Sequence, residues 1–260
     1  MSQGFAQLPM YVAPLRVREA QEAWLARTLE HLAATRMSLD TPDLKQLWLS
    51  PDLLLAQTCG YPLMTLLRDR VQVIGRPVYQ LPHSRDGNHC SLLVAREGDS
   101  RRELIDFFGS HGLINSEDSN SGMNLFRHTL APLQRDGRFF SEVSLTGGHR
   151  DSLLWLRQGR GDLAAIDSVT YDYLARDNSD EVRGLKIVTQ TAPSPCLPYI
   201  TRLGADAGSI RLAMNKALRA LPDVAAVLAI SEVITASEDD YQVLLAYQRQ
   251  AEDFNYPAIL

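Results

Sequence analysis

An unbroken apolar run, Leu53-Leu54-Leu55-Ala56, constrains the fold more than any other feature of the sequence. Such a run is typical of a strand that is buried on both faces, as in a parallel sheet. Residues 60–67 follow with a helical pattern, and residues 71–75 form the next short apolar segment. A strand, a helix and a strand in this order predict a mostly parallel sheet with right-handed crossovers and flanking helices.

The same alternation occurs on either side of this segment. Residues 8–11 are predicted to form the first strand, and residues 16–37 a helix with Trp24 on its buried face. Thr41 and Pro42 have the order of a cap and a first helical residue, which predicts the start of a short helix.

The middle of the chain contains a second series of strands and helices, and the proline-rich residues 192–198 are too rigid to lie within a sheet. We interpret them as the return crossing to the first series. The sequence therefore predicts two α/β lobes joined by two crossings. Lobe 1 consists of residues 1–91 and 193–260, and lobe 2 of residues 92–192. A ligand is expected in the cleft between two such lobes, near the starts of helices.

Composition excludes several classes of protein. The chain of 260 residues is 45% apolar and 22% charged, with a net charge of -5 and no basic run, which argues against a nucleic-acid surface. No apolar run is long enough to predict a membrane span. Three scattered cysteines and six histidines show no spacing of a disulfide framework or a metal site, so no metal or cofactor is predicted.

The segment Ser119-Asn120-Ser121-Gly122 has the local chemistry of an anion site. It follows the apolar pair Leu113-Ile114 and opens a helical pattern that includes Met123 and Phe126. The first turn of a helix leaves backbone N–H groups without partners, and the helix dipole places partial positive charge there. A glycine lets a ligand approach the backbone closely. Phosphate, phosphonate or carboxylate would fit such a site, although the alternative that the serines only cap the helix remains open.

An enzyme is the main alternative from another functional class. Cys59 and Ser121 are candidate nucleophiles, but the chain has no Gly-x-Ser-x-Gly turn and no zinc-protease helix. His83 and His89 share a polar stretch that we interpret as a solvated loop. We therefore predict no catalytic residue. A regulatory module that senses a ligand and signals to a separate chain is a third interpretation.

Three segments together resemble one transporter family: residues 119–122, the run Gly147-Gly148-His149-Arg150-Asp151-Ser152-Leu153, and residues 162–167. The family is the substrate-binding components of phosphate, phosphite and phosphonate ABC transporters. Residues 55–62 are similar to its ligand loop in the first lobe, and the resemblance extends over nearly the whole chain. It implies a type 2 periplasmic-binding-protein fold that closes like a hinge around a small anion, with a permease as partner.

The resemblance also implies the roles of individual residues. Ser119, Asn120, Ser121 and the Gly122 backbone would hold the ligand oxygens, and His149 would reach the same oxygens. Three further residues are expected to contact the ligand from other segments: Asp167, through a ligand amine or hydroxyl, and Tyr61 and Tyr11, from lobe 1.

The sequence departs from this family in two places. Asn120 stands where the family often has threonine, although its amide can still donate a hydrogen bond. The N-terminus lacks the charged and apolar regions of an export signal. The resemblance implies a periplasmic location, whereas a native Met1 would predict a cytoplasmic protein that senses a ligand.

Overall fold

The computed structural model describes residues 2–38 and 43–259. The strands, in chain order, are β1 (Ser2–Gln7), β2 (Ala34–Arg36), β3 (Leu53–Gln57), β4 (Val71–Tyr79), β5 (Asn88–His89), β6 (Ser91–Arg96), β7 (His111–Ile114), β8 (Glu142–Leu145), β9 (Leu163–Asp167), β10 (Leu185–Gln190), β11 (Ser194–Pro195), β12 (Tyr199–Arg202) and β13 (Ile230–Ile234). The α-helices are α1 (Leu15–His31), α2 (Leu44–Trp48), α3 (Gly60–Thr65), α4 (Leu125–Leu130), α5 (His149–Arg157), α6 (Ser168–Asp177), α7 (Ala207–Ala220), α8 (Pro222–Leu228) and α9 (Gln242–Asp253).

The first of two compact units contains Met1–Asn88 and Pro195–Tyr241. Its sheet has the strand order β13-β4-β12-β3-β1-β2. Strand β3 carries the apolar run and is buried at every residue, as the sequence predicts. Strand β1 pairs in parallel with β2 and β3, whereas β12 and β13 pair antiparallel with their neighbours. The sheet is therefore mixed rather than mostly parallel, because β12 and β13 return in the opposite direction.

Helices α1 and α7 pack on this sheet around Trp24. The indole Nε1 donates to the Met214 carbonyl at 3.0 Å, and the ring meets Tyr199 edge to face at 5.6 Å. Both the apolar ring and its polar N–H are thus satisfied in the interior, as a buried tryptophan requires.

The N-terminal predictions need correction. The first strand is β1, which ends before Leu8 and Pro9, since proline has no N–H to donate to a sheet. Helix α1 ends at His31 rather than at residue 37, and Ala33 adopts a positive φ of 48° that interrupts the helix. The predicted start at Thr41 and Pro42 lies outside the described residues. Helix α2 begins at Leu44 with Asp43 as its cap.

The second unit contains His89–Ser194 and Gln242–Leu260. Its sheet has the order β10-β6-β9-β7-β8 and is also mixed. Strand β7 pairs in parallel with β8 and β9, whereas β6 pairs antiparallel with β9 and β10. The parallel strands β7 and β9 are each followed by a helix, in the strand–helix order that the sequence predicts.

The last helix, α9, lies in the second unit, whereas the sequence prediction assigned all of residues 193–260 to the first lobe. Helix α9 packs against α4 and buries Leu244 and Ala251 there. Polar contacts add to this packing: Asn124 Nδ2 donates to the Leu244 carbonyl at 3.1 Å, and Gln134 Nε2 donates to the Phe254 carbonyl at 2.8 Å. Such contacts join segments far apart in sequence, so no local pattern predicts them.

Across residues 2–38 and 43–259, no helix is both long enough and apolar enough to cross a membrane.

Gly112 in β7 gives a test of packing in the second unit. A methyl group on Gly112 would lie 2.5 Å from the Phe140 ring, which also contacts Phe139 and Phe126 at centroid distances of 4.9 Å and 5.7 Å. We expect Gly112→Ala to lower the free energy of unfolding by about 1–3 kcal/mol, because the aromatic cluster must shift. The measurement is urea unfolding of the purified variant.

Gly98→Ala is the matched control, since a methyl group there meets nothing within 4 Å. Equal stability of the two variants would contradict the packing of Phe140 against β7.

Candidate functional site

The polar segment after β7 begins a helix in the second unit. Ser119 is the cap, and its Oγ accepts a hydrogen bond from the Gly122 backbone N–H at 3.0 Å. Residues Asn120–Asn124 form a π-helical turn that continues into α4. The predicted order of strand, hydroxyl-rich loop and helix is therefore present. The Ser119 hydroxyl accepts from Gly122, which leaves its own hydrogen available to a further acceptor.

Gly122 is required by the close approach of two side chains. A methyl group at this position would lie 1.8 Å from Asn115 Oδ1 and 3.2 Å from His149 Cε1. The first distance is far below any real contact, so a larger residue would displace Asn115. Asn115 Oδ1 is itself buried and has no hydrogen-bond partner within the described chain. Because Gly122 has no side chain, Asn115 and His149 can both lie close to the first turn of the helix.

His149 meets the same helix start from a different element. It is the first residue of α5, after Gly147 with a φ of 91° and Gly148. Its Nε2 lies 3.0 Å from Ser121 Oγ, and the residue is largely buried. Ser121 is buried, with only 3% of its surface exposed. The structure therefore brings together two residues that lie far apart in sequence and were predicted to share one ligand.

Asp167 lies next to His149 but is enclosed. It ends β9 and caps α6, where its Oδ1 accepts from the Thr170 backbone N–H at 3.0 Å. Its Oδ2 lies 3.1 Å from His89 Nδ1. The Asp167 N–H lies 3.5 Å from His149 Nδ1. Only 2% of Asp167 is exposed, so both carboxylate oxygens are held by the protein itself.

His89 corrects the interpretation of its segment as a solvated loop, because only 2% of the residue is exposed. The polar neighbours of His89 obscure its place in the sequence. The one available signal is that only Cys90 separates it from the apolar strand β6, and this signal is weak.

Burial and charge set the protonation of the two titratable groups beside Ser121. Burial lowers the pKa of His149, and the Asp167 carboxylate and the Ala165 carbonyl oppose this only in part. Burial alone would raise the pKa of Asp167, but the charge and hydrogen bond of His89 and the nearby His149 together bring it below its usual range. At neutral pH the site therefore holds a neutral His149 beside an ionised Asp167.

A network of buried hydrogen bonds holds the first turn of the helix in place. Asn120 Nδ2 donates to Ser194 Oγ at 2.8 Å, and Asn120 Oδ1 accepts from Asn124 Nδ2 at 3.3 Å. Ser91 Oγ donates to the Ser121 carbonyl at 2.8 Å. The Asn120 amide is thus engaged within the protein. Sequence reasoning missed the supporting role of Ser91 and Ser194, because each contacts the loop from another element and carries no pattern of its own. It also missed that of Asn124, whose side-chain contacts a local pattern does not show.

The remaining candidates lie in the first unit. Tyr11 is 3% exposed, and its ring meets Tyr79 edge to face at 6.1 Å. Tyr61 is in the first turn of α3 and is half-buried. The ligand roles of both tyrosines stay predictions. Cys59, the candidate nucleophile, is buried, forms no disulfide and precedes α3.

Acidic, cysteine and histidine side chains of the described chain form no group of three that could hold a metal ion.

Comparisons with solved structures identify the fold. A binding-protein component of an ABC phosphonate transporter from Pseudomonas aeruginosa has a TM-score of 0.78 at 15% identity, covering 97% of this chain and 87% of that one. PhnD1 from Prochlorococcus marinus, in complex with methylphosphonate, has a TM-score of 0.75 at 12% identity, covering 96% and 98%. A protein from Xanthomonas citri bound to ATP has a TM-score of 0.67 at 14% identity and covers 98% of each chain. These similarities show the type 2 periplasmic-binding-protein fold.

A search of curated proteins found no match. The sequence model of one family, described as the periplasmic substrate-binding protein of the phosphonate ABC transporter, matches residues 22–241. This family consists of transporter binding proteins rather than enzymes. Because the match spans most of the sequence, the chain belongs to the family of periplasmic substrate-binding proteins of phosphonate ABC transporters.

Proposed function

We propose that this solute-binding protein captures a phosphorus oxyanion at Ser119, Ser121, Gly122 and His149, and delivers it to an ABC permease. Phosphonate is the first candidate, with phosphate and phosphite as alternatives. The observation that carries the proposal is the contact of 3.0 Å between Ser121 Oγ and His149 Nε2 at the start of a helix. This contact joins the two segments whose polar groups suit an anion.

The chemistry of binding follows from the donors at this point. The first-turn N–H groups of the helix lack intrahelical partners, and the helix dipole adds partial positive charge. The hydroxyl of Ser119 has a hydrogen to donate, since its oxygen already accepts from Gly122. Hydrogen bonds to a charged ligand are shorter and stronger than those between neutral groups. A phosphonate would exchange its hydration shell for these donors.

His149 would serve as a neutral partner of Ser121 before the ligand arrives. Burial lowers its pKa, so the ring can either donate to the ligand or orient the Ser121 hydroxyl toward it. A bound dianion would favour the protonated ring, and binding would then take up a proton. Asp167 is enclosed by His89 and by the start of α6, which supports a role in holding His149 rather than in contacting the ligand.

The proposed function is tested by calorimetric titration of the purified protein. The ligands are methylphosphonate, phosphate, phosphite, sulfate, acetate and ATP, the last because a structural neighbour was solved with it. We expect one phosphorus oxyanion to bind with a 1:1 ratio, and sulfate and acetate to bind at least roughly tenfold more weakly. Tighter binding of acetate, or binding of none of them, would contradict the proposal.

Ser121→Ala tests the hydroxyl that contacts His149. We expect it to weaken methylphosphonate binding by about 1.5–3 kcal/mol, which is the typical contribution of one hydrogen bond to a charged group. This corresponds to a dissociation constant roughly 10–150-fold higher. The measurement is the same calorimetric titration.

Ser116→Ala is the matched control, since Ser116 lies in the same loop and donates to Asp118 Oδ1 at 2.8 Å. The control is expected to keep the affinity of the wild type. An unchanged affinity in Ser121→Ala would remove Ser121 from the site.

The lowered pKa of His149 predicts how stability depends on pH. An unfolded histidine takes up a proton near pH 6.5, whereas the folded chain holds His149 neutral to lower pH. The unfolded state therefore binds more protons below pH 6.5, and the free energy of unfolding falls as the solution is acidified. We expect His149→Gln to reduce this fall, as measured by the midpoint of thermal unfolding between about pH 7.5 and 5.

His128→Gln controls for loss of a histidine in the same unit, where His128 Nε2 lies 2.8 Å from Gln250 Oε1. If His149→Gln kept the full pH dependence of the wild type, His149 would not be the buried neutral group.

A further inference from the structure

Arg127, in α4, is a buried cation that donates its hydrogen bonds to uncharged oxygen atoms. Only 4% of the residue is exposed. Its guanidinium donates to the Pro257 carbonyl at 2.5 Å and to Asn124 Oδ1 at 2.8 Å. Within residues 2–38 and 43–259 no carboxylate forms an ion pair with it, and its Nε is buried without an acceptor. Arginine is almost never fully buried unless it is paired, because an unpaired buried charge is costly.

Two side-chain amides, those of Asn124 and Asn120, connect Arg127 by hydrogen bonds to the first turn of the helix. Asn124 presents its Oδ1 to the guanidinium and donates from its Nδ2 to Asn120 Oδ1 at 3.3 Å. Asn120 in turn donates from its Nδ2 to Ser194 Oγ at 2.8 Å. Both amides have their oxygens toward the cation and their N–H groups away from it. Aligned hydrogen bonds of this kind polarise one another in a medium of low dielectric constant.

The other charged groups near the loop do not neutralise Arg127. The Asp167 carboxylate lies 3.1 Å from His89 Nδ1 and accepts from the Thr170 N–H, and it forms no ion pair with Arg127. Burial lowers the pKa of His149, so this ring carries no positive charge at neutral pH. The helix start therefore continues into a segment with a buried positive charge that forms no ion pair within residues 2–38 and 43–259, and an anion bound at the helix start would balance it.

We propose that Arg127 is a positioning residue for the bound oxyanion. It supplies positive charge to the helix start and holds Asn124 and Asn120 in the orientation that shapes the loop. It acts through these amides and does not itself touch the ligand. The inference rests on the oxyanion site proposed above, and it assigns to that site a source of charge beyond its own hydroxyl, imidazole and backbone groups.

Two substitutions separate the charge from the hydrogen bonds. Arg127→Gln keeps a donor for Asn124 but removes the charge, whereas Arg127→Lys keeps the charge with fewer donors. Binding of methylphosphonate is measured by calorimetry for the wild type and both variants, and folding is checked by circular dichroism and thermal unfolding. We expect Arg127→Gln to raise the dissociation constant at least about tenfold, and Arg127→Lys to remain within about threefold of the wild type.

Each outcome decides the proposal. Wild-type affinity in Arg127→Gln would overturn it while leaving the proposed function intact. A folded Arg127→Lys variant with an affinity as low as that of Arg127→Gln would overturn the role of the charge, since only the donor geometry would then matter. If Arg127→Gln fails to fold, Arg127→Met replaces it as the uncharged variant, with the same expected rise of the dissociation constant and the same contradicting result. Absence of binding by the wild-type protein would overturn the methylphosphonate site and this inference together.

Discussion

The contact between Gly122, Asn115 and His149 is the constraint on which the rest of the candidate site depends. A single methyl group on Gly122 would lie 1.8 Å from Asn115 Oδ1 and would force the loop apart. Because this position has no side chain, the first turn of the helix can lie against the start of α5, where His149 meets Ser121. Two helix starts thus lie close together, and the partial positive charge of a helix N-terminus is the local feature from which we propose an anion site here.

The second unit, which contains the candidate site, also buries two charged side chains. Asp167 and Arg127 are both almost fully enclosed, but they are treated differently by their surroundings. The carboxylate is held by His89 and by a helix cap, and its pKa lies below its usual range. Among the residues that the structure describes, the guanidinium has a carbonyl and an amide oxygen as its acceptors. This asymmetry suits a protein whose ligand is an anion, because the missing negative charge can come from the ligand.

Local patterns in the sequence predicted several elements of the fold. The apolar run of β3, and near the site the strand before Ser119 and the capped helix after it, were all evident from residue type and spacing. Family resemblance, rather than spacing, linked His149 to the serines. The contact at 3.0 Å agrees with that link, while the ligand role itself stays a prediction. Asn120 proved to be engaged with Ser194 in the interior, which a local pattern could not show.

The burial of His89 and Arg127 and the position of α9 could not be predicted from the sequence, because they depend on contacts between distant segments. His89 lies among polar residues and was interpreted as solvated, yet tertiary packing encloses it against Asp167. The position of α9 in the second unit depends on its contacts with α4, more than a hundred residues earlier in the chain. Arg127 belongs to a residue type that is usually exposed, and only the fold shows that it is buried. Charge balance in the interior is a property of the whole fold, so no window of sequence contains it.

We propose that the phosphorus oxyanion binds at the start of the helix formed by residues 120–130. A crystal structure of the protein with methylphosphonate would test this binding position directly. We expect phosphonate oxygens within hydrogen-bond distance of Ser121, of the Ser119 hydroxyl and of backbone N–H groups in the first turn. A phosphonate bound elsewhere in the protein, with Ser121 and His149 still paired to each other, would contradict the proposed site.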